Sequence, residues 1–185
     1  MSKIQIEEFL KKKGDFVQID HLSRFVENKE IPIDKKKFVY KKLADLYNKK
    51  GMFTEAARMY NNIAIASVTF SEKIKNYVKE AEFYIKSGNF QGADESMKKA
   101  MSEANSTEKN NIYLSIKEFY KKQAESYEKQ RQRGHATRVY EKLLEMKLSD
   151  SERQEVKDNL LRLYEKLGRI KEYFSIKDGK YDKKV

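Results

Sequence analysis

Two stretches of this 185-residue chain repeat one pattern of residues. Residues 43–60 read LADLYNKKGMFTEAARMY and residues 80–97 read EAEFYIKSGNFQGADESM, and an Ala, a Tyr, a Gly, a Phe and a second Ala fall in the same columns. Internal repetition on this scale is typical of proteins in which one supersecondary unit stacks on copies of itself. The repeat therefore constrains the fold more than composition does.

The Tyr of this pattern recurs at intervals of 37, 43 and 37 residues. We call these four residues the reference tyrosines: Tyr47, Tyr84, Tyr127 and Tyr164. Three residues before them stand Ala44, Ala81, Ala124 and Leu161, and nine after them stand Ala56, Ala93, Ala136 and Tyr173. Ala lets two helix backbones approach closely, while Tyr and Phe fill the space around the contact. Each copy therefore predicts two packed helices.

A Gly follows the reference Tyr by four residues in three copies, at Gly51, Gly88 and Gly168. Gly can adopt the left-handed conformation that ends a helix, so each copy reads as helix, turn, helix. The third copy has Arg131 at this place, and we expect its turn to be distorted or its first helix prolonged. The longer 43-residue step predicts extra length around residues 101–111, in the second helix of copy two or the first helix of copy three.

Helix starts can also be read from the sequence. Candidate N-cap residues are Ser71, Ser106 or Thr107, and Ser149. Ser149 is followed three residues later by Glu152, which is the spacing of a capping box.

The order of these residues resembles the tetratricopeptide repeat. Ala44, Tyr47, Gly51, Phe53, Ala56 and Tyr60 match its signature residue by residue, and the longer period is similar to the soluble NSF attachment protein type of superhelix. The resemblance implies an all-α, right-handed α-solenoid of about five antiparallel helical hairpins. We predict one structural domain, with a degenerate N-terminal hairpin in residues 1–33, four repeat units in residues 34–177, the last a cap, and a flexible tail in residues 178–185.

Composition favours a binding protein over an enzyme. The absence of Cys excludes disulfides and thiolate metal sites and fits a reducing compartment, so we expect a cytoplasmic location. No apolar run is long enough to span a bilayer, so no transmembrane segment is expected. The two His lie in separate hairpins and no phosphate-loop or metalloprotease motif occurs. We therefore expect no catalytic residues, no metal and no cofactor.

The net charge of +11 leaves two kinds of partner open. The first hypothesis is a non-enzymatic protein–protein interaction scaffold that binds a peptide or helix of another protein on its concave face. The alternative is a basic helical repeat protein that binds RNA or other nucleic acid through its net positive charge. The oligomeric state stays open.

Acidic residues and lysines flank the reference tyrosines at i, i+4 spacing. One interpretation is a set of solvated surface pairs, such as Asp45 with Lys49. The resemblance implies another, because first helices line the concave surface of the repeat family. The predicted groove residues are Lys41, Asp45, Lys49, Glu82, Lys86, Glu125 and Lys129. Some family members clamp a terminal carboxylate with Lys and Asn, but acidic residues fill the Asn column here, so we expect no such clamp.

Overall fold

The structure is a computed structural model that describes residues 3–11 and 13–179. The described residues form ten α helices. These are α1 (Lys3–Leu10), α2 (Asp15–Glu27), α3 (Ile33–Lys49), α4 (Phe53–Ile65), α5 (Phe70–Lys86), α6 (Phe90–Ser102), α7 (Ser106–Lys129), α8 (Arg133–Leu144), α9 (Asp150–Leu167) and α10 (Ile170–Lys177). The described part of the chain is therefore all-α. Of the tail predicted for residues 178–185, residues 180–185 lie outside the described residues.

The chain divides into two compact units, the first ending at Tyr113 and the second beginning at Leu114, inside α7. In the first unit α2 packs on α3, α3 on α4, α4 on α5 and α5 on α6. In the second unit α8 packs on α9 and α9 on α10. Packing of helices that are neighbours in the chain is consistent with an array of helical hairpins.

The predicted turn closes the first helix of four hairpins. The carbonyls of the reference tyrosines Tyr47, Tyr84, Tyr127 and Tyr164 each accept a hydrogen bond from the amide five residues later, at 2.9, 2.9, 2.8 and 2.9 Å. The preceding amide donates to the carbonyl three residues before it, which completes a Schellman motif. In these four turns the residues that adopt the left-handed conformation are Gly51, Gly88, Arg131 and Gly168, with φ of 70°, 74°, 58° and 66°.

The expected distortion of the third turn is wrong. Arg131 adopts φ 58° and the turn keeps the hydrogen bonds of the other three. The helix before it ends two residues after Tyr127, as α3 ends two residues after Tyr47. The turn geometry is thus maintained by its hydrogen bonds, although a side chain at this position strains the backbone.

Replacing Arg131 by Gly should therefore stabilise the second unit. A left-handed residue with a side chain costs roughly 1–2 kcal/mol, of which the extra flexibility of Gly in the unfolded chain cancels part. We expect a gain of about 0.5–1 kcal/mol in the free energy of unfolding, measured by urea denaturation. Arg138→Gly, inside α8, is the control and should lose about 1 kcal/mol. An Arg131→Gly variant that is no more stable than the parent would contradict the strain.

The extra length of the third copy lies in its first helix, one of the two predicted places. The helix α7 has 24 residues, whereas α3 and α5 have 17 each. The second helices α4 and α6 have 13 residues each.

Two predicted helix starts are wrong by one or two residues. Thr69, not Ser71, caps α5. Before α7 it is Asn105 whose side chain accepts a hydrogen bond from a first-turn amide, at 2.9 Å, in place of Ser106 or Thr107. Both caps lie just before the first helical residue, where the side-chain oxygen can reach the free amides of the first turn.

The N-terminal hairpin, formed by α1 and α2, closes by a different turn. Gly14 lies 37 residues before Gly51, one repeat interval earlier, but has φ −64° and is not left-handed. The side-chain amide of Gln18 instead donates to the carbonyls of Leu10 and Lys13, at 3.1 and 2.7 Å. Ile6 and Leu10 of α1 are buried in one cluster with residues of α2 and α3. The apolar face of α1 is therefore part of the core of the first unit.

The alanine columns are buried as the pattern predicts. The six alanines at these positions are at most 1% exposed: Ala44, Ala81, Ala124, Ala56, Ala93 and Ala136. Tyr164 is fully buried, whereas the other three reference tyrosines are half-buried. Small side chains at helix contacts with aromatic rings beside them thus form the core of both units.

Candidate functional site

A cleft of about 420 Å³ opens in the first unit between the amino-terminal halves of α3 and α5. On α3 it is lined by Asp34, Lys37, Phe38 and Lys41, and on α5 by Glu72, Lys75, Asn76 and Lys79. Both sets have i, i+3, i+4, i+7 spacing, which places each set on one helical face. Tyr60 and Ile63 of α4 and Lys3 of α1 complete the lining. The cleft therefore lies between the first helices of two successive hairpins.

Three apolar or aromatic side chains line the cleft. Ile63 is 6% exposed, and Phe38 and Tyr60 are half-buried. The Tyr60 ring stacks on that of Phe83, with ring centroids 5.4 Å apart. Burial, together with nearby carboxylates, raises the pKa of Tyr60, so its hydroxyl stays protonated near neutral pH. This lining offers a ligand both apolar contact and one neutral hydroxyl.

Three of the five lysines in the cleft form salt bridges with carboxylates of the chain. The N–O distances are 3.4 Å for Lys3–Asp34, 2.5 Å for Lys37–Glu72 and 2.7 Å for Lys79–Glu82. The hydrogen bond from Lys37 lowers the pKa of Glu72, which favours the ionised form of the pair. These salt bridges neutralise three of the five ammonium groups.

The other two lysines of the cleft are Lys41 and Lys75. Both are exposed, and neither forms a salt bridge with any residue that the structure describes. Five lysines against Asp34 and Glu72 give the lining a net charge of +3. The cleft therefore favours an anionic ligand.

Of the groove residues predicted on α3, Lys41 lines the cleft. Asp45 lies one turn later and is exposed. The side chain of Lys49 donates to Asp15 of α2 at 3.0 Å, and Asp15 also pairs with Lys50 at 2.8 Å. Lys49 is thus held at the contact of α2 with α3 and does not line the cleft.

The two groove residues predicted on α5 pair with each other. Lys86 and Glu82 form the expected i, i+4 salt bridge at 2.9 Å, and Lys79 pairs with the same carboxylate. Burial opposes ionisation of Glu82, but the hydrogen bonds from both lysines outweigh it, and its pKa lies below the usual value. Because the Glu82 side chain is only 14% exposed, it offers little surface to a ligand.

The last two predicted groove residues, Glu125 and Lys129, lie on α7 in the second unit. Both are exposed. Within the described part of the chain neither forms a salt bridge, so the predicted i, i+4 pair is not made there. Each remains a solvated surface residue.

Sequence reasoning missed four lysines of the cleft: Lys3, Lys37, Lys75 and Lys79. A signal was present, because α3 and α5 each carry two lysines four residues apart on the face that lines the cleft. The prediction followed the residues two positions from the reference tyrosines, whereas the cleft lies one to three turns earlier. A charge pattern alone does not show which turn of a helix lines a cleft.

Salt bridges between successive first helices recur in both units. Lys37 of α3 pairs with Glu72 of α5 at 2.5 Å, and Lys117 of α7 pairs with Glu152 of α9 at 2.8 Å. In each case the Lys stands ten residues before one reference Tyr and the Glu twelve before the next. The same columns thus meet in two separate hairpin pairs.

A second polar cluster of the first unit surrounds Glu80, which is 2% exposed. Its Oε1 accepts a hydrogen bond from Lys99 at 3.2 Å, Lys99 also donates to Asn61, and its Oε2 has no hydrogen-bond partner. Burial raises the pKa of Glu80 although Lys99 opposes this. The same column holds buried Leu43 and Leu160 in other copies, so Glu80 is a carboxylate at a core position.

Both histidines pack against aromatic rings. The centroid distances are 4.2 Å for His21 with Phe9 and 5.2 Å for His135 with Tyr127. The described residues contain no group of three or more His, Asp or Glu side chains arranged to hold a metal ion. Within the same part of the chain, no helix combines the length and apolarity needed to cross a membrane.

Comparison with known proteins does not assign a family. No protein-family model matches the chain, and no curated protein matches it. The cleft and its charges are therefore the observations that bear on function.

Proposed function

We propose that this chain is a non-enzymatic, cytoplasmic protein–protein interaction scaffold. Its hairpins form a right-handed α-solenoid of the tetratricopeptide-like type, and first helices present the surface that binds a peptide or helix of a partner. The observation that carries the proposal is the cleft between α3 and α5, with aromatic and aliphatic side chains among lysines. Protein interfaces combine an apolar centre with a polar rim in the same way.

The dimensions of the cleft support a segment of polypeptide as the ligand. Its lining spans eight residues of α3 and of α5, from position 34 to 41 and from 72 to 79, which is roughly 10 Å along each helix. Salt bridges already hold Lys37 and Lys79, so part of the entropic cost of ordering the site is met before binding.

Regular stacking of the hairpins is supported by the salt bridges that recur between first helices. Lys37–Glu72 and Lys117–Glu152 join equivalent columns of the repeat, each pair 35 residues apart. Equal offsets in both units are expected when each hairpin packs on the next with one geometry.

Nucleic-acid binding is the second candidate, because the net charge of +11 attracts polyanions. The aromatic lining of the cleft favours nucleic-acid binding less than peptide binding. Base stacking requires an accessible ring face, and the ring of Tyr60 is stacked on Phe83. A phosphate-tracking surface would lose affinity steeply as salt rises, which separates the two candidates.

A photo-crosslinking side chain at position 41 of the whole chain tests the proposal. Lys41 lies in the cleft, whereas Lys98 on α6 is an exposed control. In lysate of the source cell treated with nuclease, we expect a discrete protein adduct from position 41 and none from position 98. Adducts that disappear with nuclease, or that form equally from both positions, would overturn the scaffold function.

A further inference from the structure

We infer that the cleft between α3 and α5 selects a short acidic segment of the partner that carries one bulky apolar side chain. This inference rests on the proposed scaffold function and names the chemistry of the bound segment. Its carboxylates would lie near Lys41 and Lys75, and its apolar side chain would contact Phe38, Tyr60 and Ile63.

Comparison of the two units identifies Lys41 as a lysine without its carboxylate. Lys41 and Lys121 both stand six residues before a reference Tyr. In the second unit Glu152 pairs with Lys121 at 2.8 Å and with Lys117 at 2.8 Å. In the first unit the equivalent Glu72 forms a salt bridge with Lys37 only, although the charge of Lys75 also acts on it, and Lys41 has no salt-bridge partner among the described residues. A carboxylate from a partner would supply the missing counter-charge.

The second unpaired lysine lies close to the same place. Lys37 of α3 meets Glu72 of α5, and Lys41, Lys75 and Asn76, about one turn later on their helices, line the same cleft. A ligand carboxylate there would meet two ammonium groups and an amide donor. Charge-assisted hydrogen bonds of this kind are stronger than those between neutral groups.

Apolar contact distinguishes the inferred segment from a simple polyanion. Phe38 and Tyr60 are half-buried, and Ile63 lies beside them. An aliphatic or aromatic side chain of the ligand would remove these surfaces from water, which a sugar-phosphate backbone does less well. The cleft therefore favours acidic peptide over nucleic acid.

The acidic stretch has to be short. Asp45 lies one turn beyond Lys41, is exposed, and forms no salt bridge with a described residue. Partner residues that come near Asp45 should therefore be neutral or basic. The bound segment should thus be acidic at one end and neutral or basic at the other.

Selection from a random library of displayed peptides of about 12 residues, long enough to span the cleft, tests this chemistry. The bait is the whole chain, and peptides that also bind the Lys41→Glu/Lys75→Glu variant are removed. We expect the enriched peptides to be acidic around one bulky apolar residue and to carry neutral or basic residues at one end. Enrichment of neutral or basic cores, or no enrichment, would overturn the inference.

A synthetic peptide from the selection is then titrated against matched variants at physiological salt. Lys41→Glu/Lys75→Glu should weaken binding by about tenfold or more, whereas Lys98→Glu/Lys109→Glu, with the same loss of charge at exposed sites, should change it by less than about twofold. Lys41→Arg/Lys75→Arg keeps the charge and should retain most of the affinity. If both Glu variants lose the same affinity, net charge alone explains the effect, and the proposed site is refuted.

Further outcomes separate this inference from the scaffold function. A neutral peptide that binds in the cleft would refute the acidic preference while leaving the scaffold function intact. If no peptide is enriched and position 41 yields no protein adduct, both are refuted. A single-stranded RNA oligonucleotide that displaces the peptide and binds more tightly would assign the cleft to nucleic acid. Circular dichroism of each variant confirms that helical content is unchanged.

Discussion

Replacing Tyr164 by Ala should destabilise the second unit by about 3–5 kcal/mol, a typical cost for truncating a buried aromatic side chain. Tyr164 is fully buried. Its hydroxyl donates a hydrogen bond to Glu141 of α8 at 2.7 Å, so the side chain joins α9 to the preceding helix. Truncation would leave a cavity at this contact. Denaturation in urea, followed by circular dichroism, measures the loss.

The control for this variant is Tyr164→Phe, which keeps the ring and removes the hydroxyl. Glu141 is partly exposed and also lies 3.8 Å from Arg169, so it is not left buried without a partner. We expect the Phe variant to lose about 1 kcal/mol. If Tyr164→Ala costs no more than Tyr164→Phe, the ring does not contribute the packing energy that its burial implies.

Replacing Glu152 by Gln should cost about 1–3 kcal/mol of unfolding free energy at neutral pH. Ser149 and Glu152 form the predicted capping box at the start of α9. The same carboxylate pairs with Lys117 and Lys121 of α7, each at 2.8 Å. The hydrogen bonds from the two lysines, and then from the Ser149 amide, lower the pKa of Glu152 to about 2. A neutral amide retains part of the cap but loses both ion pairs.

The effect of Glu152→Gln should depend on pH in a defined direction. The folded-state pKa of about 2 lies below the ordinary value of 4.5, so the carboxylate stabilises the fold fully above pH 4.5. This contribution is lost as the pH falls through about 2, and the stabilities of parent and variant should converge. Glu155→Gln, at an exposed site on α9, should change stability by less than about 0.5 kcal/mol. A difference between parent and Glu152→Gln that is constant from pH 7 to about 2.5 would contradict the lowered pKa.

Local patterns predicted the hairpins well because the interactions that form them are local. The turns after Tyr47, Tyr84 and Tyr164 place Gly where the backbone is left-handed, and the alanine columns mark close helix contacts. Arg131 shows the limit of this reasoning. A residue that disfavours the conformation still adopts it, because the Schellman hydrogen bonds of that turn are also formed.

The sequence placed the candidate groove residues on α3, α5 and α7, whereas the cleft in the structure is lined mainly by earlier turns of α3 and α5. Lys41 was placed in the groove, whereas Lys49 and Lys86 pair with carboxylates of the chain. A lysine is available to a ligand only if no carboxylate of the chain neutralises it. That condition cannot be evaluated from i, i+4 spacing, which considers one helix at a time.

The sequence by itself determined the all-α class, the positions of the turns and the residues of the core, since these follow from helical periodicity and backbone conformation within one repeat. Only the tertiary structure decided which charges remain available. Glu72 neutralises Lys37 from 35 residues away and leaves Lys41 unpaired, while Glu152 pairs with both Lys117 and Lys121. The physical reason is that such contacts depend on how one hairpin packs on the next, and a shift of a single side chain between two helices changes which lysine can bind a partner.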